Sequence, residues 1–192
     1  DQLDPKRALP VCMEANAAAS NDLRVLSALA RIHNKLESYE QSLSIINQLI
    51  KAGYPPAFRT LGLHYEYGDG VETDIERAKY YFKKSFEQGF DFAKINLVDL
   101  ILTEKPSDDQ RAYALSLIEE LVMLNSPQVY HEVGWFYLDE RYGIQDEKVA
   151  HDLFLKAHRI APNYGTNPLA FIHLNGWGID RDLDKAFEDA KV

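Results

Sequence analysis

The chain has 192 residues, 46% hydrophobic and 27% charged, with a formal net charge of −9, a balance that supports a sizeable core in one or two ordinary domains. The acidic excess argues against nucleic acid or an anionic membrane surface, either of which would want a basic face, and favours a basic or neutral partner. The apolar runs fall far short of the ~20 residues that a membrane span needs.

Residues 1–19 read as a helix. Cys12 sits in its apolar stretch "LPVCMEANAAA" and suits a small core position better than a nucleophile. As the single cysteine it allows no internal disulfide and no cysteine metal cluster. The chain begins at Asp1 rather than Met, as a processed or trimmed product does. A removed signal peptide is one explanation, which slightly favours an exported or periplasmic location over a cytoplasmic one.

From residue 20 onward the chain repeats itself. A step of 36 residues aligns Leu61, Leu97, Val133 and Leu169, and then Gly62, Val98, Gly134 and Ala170. The same step aligns Ser42, Ala78, Ala114, Ala150 and Ala186, small every time. The first helix of residues 20–54 fits better at a step of 35, with Leu26 and Ser27 opposite Leu61 and Gly62. That implies a turn one residue shorter.

Residues 55–89 hold the clearest copy. Ala57, Leu61 and Tyr65 share one helical face, and Ile75, Ala78, Phe82 and Phe86 share a face of the next helix. Pro56 suits a helix start, Asp74 an N-cap, and Gly89 or Asn125 a C-terminal cap. Small residues at 62 and 78 would let the two helices approach closely, offsetting the ~1 kcal/mol that glycine costs inside a helix. Residues 90–125 keep the helix pattern but replace the loop glycines by Lys105-Pro106-Ser107-Asp108. There the spacing predicts two helices, the second capped by Ser107 or Asp108, and not one helix running through Pro106.

Residues 126–163 carry the loop in distorted form, Glu140-Arg141-Tyr142-Gly143-Ile144, and residues 164–192 repeat it as Gly176-Trp177-Gly178-Ile179. Trp177, between two glycines, would contact the next repeat or a partner. The last copy reaches Val192 inside its second helix, which leaves room for a longer parent protein. Together these patterns predict about ten helices, no sheet, and contacts between neighbours only.

The Gly68-Asp69-Gly70-Val71 loop could cradle a phosphate or turn one helix back on another. A phosphate loop follows a strand and carries Lys-Ser/Thr after its last glycine, whereas Val71-Glu72 follows here. The two glycines are therefore expected to supply left-handed turn conformations. The six histidines show no metal-ligand spacing; His151 and His158 read as surface or rim residues and His173 as a packing substitute for Tyr65. Carboxylate pairs such as Asp108-Asp109 and Glu119-Glu120 fit helix starts or solvated faces. No cofactor and no metal site is expected.

Leu61-Gly62-x-x-Tyr65-x-x-Gly68-x-Gly70-Val71-x-x-Asp74-x-x-x-Ala78-x-x-Tyr81-Phe82 resembles a Sel1-like repeat, a relative of the tetratricopeptide repeat. Residues 20–54 are more similar to a tetratricopeptide unit. The resemblance implies an all-α, right-handed α-solenoid of helix-turn-helix units, lined on its concave face by the first helix of each pair. Carried over residue by residue, that geometry implies a partner-binding groove from Arg59, Leu63, Glu66 and Tyr67; then Ile95, Asp99 and Leu102; then His131, Trp135, Leu138 and Asp139; then Asn167, Phe171, Leu174 and Asn175. The N-terminal copy would add Arg24, Ala28 and Arg31. Trp135, Tyr67 and Phe171 would form an aromatic ladder, with Trp135 as anchor.

The resemblance implies non-catalytic protein binding, as a scaffold or adaptor of bacterial type, with an unidentified protein as partner. An immunity protein neutralising a secreted toxin is the alternative. A hydrolase is the remote one, since the family members linked to β-lactam chemistry carry a disulfide in each repeat and this chain has only Cys12.

Overall fold

The structure, a computed structural model, describes residues 4–18 and 22–189. Among the described residues every regular element is helical. The helices are α1 (Pro5–Ala18), α2 (Leu23–Lys35), α3 (Tyr39–Lys51), α4 (Pro56–Tyr67), α5 (Ile75–Glu87), α6 (Ala93–Thr103), α7 (Asp108–Val122), α8 (Pro127–Leu138), α9 (Glu147–Ile160), α10 (Pro162–Asn175) and α11 (Leu183–Asp189), with a 3-10 turn at Glu140–Tyr142 after α8. No described helix is long and apolar enough to cross a membrane. The helices fall into two compact units, Asp1–Ala93 and Lys94–Val192.

The helix limits follow from local chemistry. Asp74 accepts the Arg77 amide at 2.9 Å to open α5, and Asp146 accepts two amides to open α9. Prolines open α4, α8 and α10, where a missing amide costs nothing. Gly89 and Asn125 take the left-handed conformation after α5 and α7. The degenerate copy keeps both helices: Ser107 caps α7 in a reciprocal box with Gln110, Pro106 lies between the helices, and Lys105 supplies the positive φ of 54° that glycine supplies elsewhere. Lys94 of α6 pairs with Glu120 of α7 at 2.8 Å.

Glycine at the helix crossings is dictated by packing. A Cβ on Gly62 of α4 would lie 2.6 Å from the Phe82 ring of α5, and one on Gly134 of α8 would lie 2.7 Å from the Phe154 ring of α9. Both phenylalanines are fully buried. In the N-terminal unit Ala30, Ile46 and Leu61 form the core under Tyr65 and Tyr81. In the C-terminal unit Leu138, Ala150, Phe154, Leu169 and Ile172 do so.

The N-terminal pair departs from the expected register. Residues 36–38 join α2 to α3, whereas residues 68–74 join α4 to α5, so the turn is four residues shorter rather than one. Ala30, not Ser27, occupies the crossing: it is buried, and its carbonyl accepts the Ser42 hydroxyl at 2.9 Å. The true step of 32 and the expected 35 differ by nearly one helical turn. Both place apolar residues on the same face, so periodicity alone could not separate them.

Candidate functional site

The glycine loops are built as turns. Gly68, Gly70, Gly176 and Gly178 all have φ between 68° and 78°, in the left-handed region that side chains resist. The second glycine of each loop also sits against the start of the preceding pair's second helix. A Cβ on Gly70 would lie 2.5 Å from the Tyr39 Cβ of α3, and one on Gly178 would lie 2.7 Å from the Glu147 backbone of α9. Polar bonds seal each contact. Asp69 accepts from Asn34 Nδ2 at 3.0 Å, and the Gly178 amide donates to Glu147 Oε2 at 2.8 Å. In the distorted loop Arg111 of α7 reaches across instead, donating from Nη1 to the Gly143 carbonyl at 2.9 Å. These loops fasten one helix pair to the one before it.

Several histidines have structural contacts as well, and His64 and His173 are buried. His64 is fully buried, with Nδ1 on the Asp69 carbonyl and Nε2 3.1 Å from the Ser42 hydroxyl. His173 is buried with its ring edge-on to His151. His131 Nδ1 donates to the Tyr164 carbonyl at 2.6 Å, and its Nε2 accepts from Trp135 Nε1 at 3.2 Å. The Trp135 ring stands edge-on to Phe154 at 5.4 Å and packs against the core of its unit. Trp177 packs on the same core. Among the described residues no group of three His, Cys, Asp or Glu could hold a metal ion.

The other residues carried over to the groove differ in burial and exposure. Asp99 accepts from the Tyr142 hydroxyl at 2.6 Å; burial and that bond to Asp99 push the Tyr142 phenol well above its ordinary value. Asp139 caps the 3-10 turn, accepting from the Arg141 amide at 2.9 Å and Nε at 2.7 Å. Burial pushes the Asp139 carboxyl up, but the two Arg141 bonds and the neighbouring positive charge outweigh it and hold the group below its usual value. Leu102 and Leu138 are core residues, 2% and 9% exposed. Asn175 folds back to donate to the Phe171 carbonyl. Arg59, Leu63 and Glu66 are half-buried on α4. Tyr67, at the end of α4, is 67% exposed, and on α10 Phe171 and Leu174 are 54% and 44% exposed.

The family model described as Sel1 repeat matches residues 61–90, 127–157 and 167–188. Over these three segments the chain is similar to Sel1 repeats. Solved structures agree on the fold. A protective antigen of uropathogenic Escherichia coli displaying an SLR fold matches at a TM-score of 0.65 and 20% identity, over 92% of this chain and 39% of its own. A Sel1 repeat protein from Oxalobacter formigenes gives 0.63 and 20%, over 88% and 69%. A putative sel1 repeat protein from Klebsiella pneumoniae gives 0.60 and 17%, over 91% and 87%. An uncharacterized protein of Neisseria meningitidis serogroup B is 28% identical over 135 residues, 70% of this chain. The chain spans 28% of that relative's length and 39% of the E. coli antigen's. The fold is thus the all-α solenoid class of Sel1 repeats.

Within that class the chain has local solutions that its sequence did not announce. Arg111 substitutes for the docking role of the absent loop glycine 31 and 32 residues away in sequence. No one-dimensional spacing marks it. Ser42 at a small-residue position bonds both Ala30 and His64; a polar residue at an otherwise alanine position was the one available signal.

Proposed function

We propose that this chain is a non-catalytic protein-binding scaffold that receives a partner segment on the first helix of its repeats. Sel1 repeat proteins generally mediate protein–protein interactions. The observation that carries the reading here is the exposure of large side chains on rigid helices: Tyr67 at the end of α4, and Phe171 with Leu174 on α10. Aromatic side chains bury much area on binding at low entropy cost, and they are enriched among hot spots. Arg59, Leu63 and Glu66 flank Tyr67 on α4 at helical spacing, and Asn175 lies one turn beyond Phe171. The reading puts one contact patch at Tyr67 in the N-terminal unit and another at Phe171 and Leu174 in the C-terminal unit, because these side chains are exposed.

The test is quantitative affinity capture with the wild type and with Tyr67→Ala/Phe171→Ala. The double variant is expected to weaken the captured complex at least tenfold, in the range of a hot-spot loss, while still melting in a single cooperative transition. Equal capture by both proteins would overturn the assignment.

A further inference from the structure

A cleft of about 540 Å³ lies in the C-terminal unit, between the α6–α7 turn and the 3-10 turn after α8. Lys105, Arg111 and Arg141 line it together with Leu102, Pro106 and Tyr142, and none of its lining residues is acidic. That is a local reversal in a chain with 30 acids against 21 bases.

The charges are also incompletely answered. The Arg111 bonds run to carbonyl oxygens, Tyr142 at 3.4 Å and Gly143 at 2.9 Å, both from Nη1. These bonds bring no carboxylate to neutralise it, and its Nε and Nη2 hydrogens lie outside them. Arg141 gives Nε to Asp139 and stands over the Tyr142 ring at 5.3 Å, which fixes the guanidinium while its terminal nitrogens stay outside that bond. Lys105 sits on a turn fixed at positive φ and is exposed. The floor is apolar and rigid: Leu102 and Tyr142 are buried, and the Tyr142 hydroxyl is tied to Asp99.

We propose that this cleft binds the carboxylate of an acidic segment of a protein partner. A guanidinium fork receives a carboxylate through paired N–H bonds, which an ammonium cannot do. Arg111 offers an unspent fork edge, with Arg141 and Lys105 as flanking charges, and the part-buried Pro106 covers the methylenes of an Asp or Glu side chain. The identity of the ligand as a protein segment rests on the scaffold reading above; the cationic cleft itself does not.

The experiment titrates the full chain with a fluorescent Glu-rich peptide, its Gln counterpart and inorganic phosphate, following anisotropy and the arginine Nε–H resonances. The expected result is binding of the Glu peptide with shifts at Arg111 and Arg141, and affinity about tenfold lower for the Gln peptide. Lys105→Gln, which breaks no bond, should weaken the Glu peptide several-fold and leave the melting curve unchanged. Absence of Glu-peptide binding, equal binding of the Gln peptide, or phosphate competing as strongly per charge as the peptide would each overturn the proposal. Tyr67→Ala/Phe171→Ala serves as the separating arm. If partner capture depends on that pair while the Glu peptide fails, the cleft assignment alone falls. If the peptide binds at the arginines while capture ignores the pair, the helix-face assignment falls and the cleft stands.

Discussion

His131 supplies the hydrogen bond that Pro168 cannot. Pro168 lies inside α10 and has no amide to give the Tyr164 carbonyl one turn back. His131 Nδ1 donates to that carbonyl instead, at 2.6 Å. Because a carbonyl only accepts, Nδ1 carries the hydrogen, and Nε2 is left to accept from Trp135. A helix defect in one repeat is therefore repaired by a side chain of the repeat before it.

This relationship predicts a coupling. His131→Ala should cost about 2 kcal/mol, because it strands a part-buried carbonyl and a part-buried indole N–H. In a Pro168→Ala background the restored backbone amide satisfies the Tyr164 carbonyl, and the same His131 change should cost at least ~1 kcal/mol less. Urea unfolding of the four proteins in the cycle measures it. Additive costs would show that the two residues do not share the carbonyl.

Trp135→Ala should behave as a core truncation. The ring abuts Phe154 and packs on the unit's buried cluster, so the change is expected to cost about 3 kcal/mol of folding stability. Thermal melting checks it; an unchanged midpoint would return Trp135 to the role of exposed anchor.

Two glycines separate backbone strain from close contact. Gly53 and Gly70 have nearly equal φ, 72° and 74°, but a Cβ at Gly53 meets nothing within 4 Å, whereas one at Gly70 meets the Tyr39 Cβ at 2.5 Å. Gly53→Ala should cost only the left-handed strain, about 1–2 kcal/mol. Gly70→Ala should cost more, because the loop must also lift from α3. Equal costs in denaturant titration would remove packing from the explanation.

The Asp139 carboxyl sets a pH dependence. Its folded value lies below the ordinary 3.8, so its bonds to Arg141 stabilise the fold above that pH and are lost as acid protonates it. Wild type should therefore melt above Asp139→Asn at neutral pH, and the gap should close as the pH falls through and below the ordinary carboxylate range. A gap constant from pH 7 to pH 2 would refute the linkage.

Much of the fold was legible in sequence because repetition amplifies weak signals. Gly62 and Gly134 stand at equivalent positions, and each faces a buried phenylalanine at its helix crossing. Asp74 and Ser107 cap helices as their types and positions suggested. The site was less legible, since a helix-face rule assigns Trp135, Tyr67 and Phe171 to one role and cannot see what else each ring meets. His131 and Phe154 claim Trp135, while Tyr67 and Phe171 remain exposed. Arg111 escaped notice for a related reason: its partners are carbonyls, which every residue has.

The glycine loops have a direction. Asp69 reaches back to Asn34, Gly143 to Arg111, and Gly178 to Glu147; in each case the docking site lies earlier in the chain. During translation, at roughly 5–20 residues per second, each loop leaves the ribosome after its receptor helix has already been made. A newly emerged repeat need not wait for sequence still inside the exit tunnel, and within each unit the helix pairs can be laid down in the order in which the message is read.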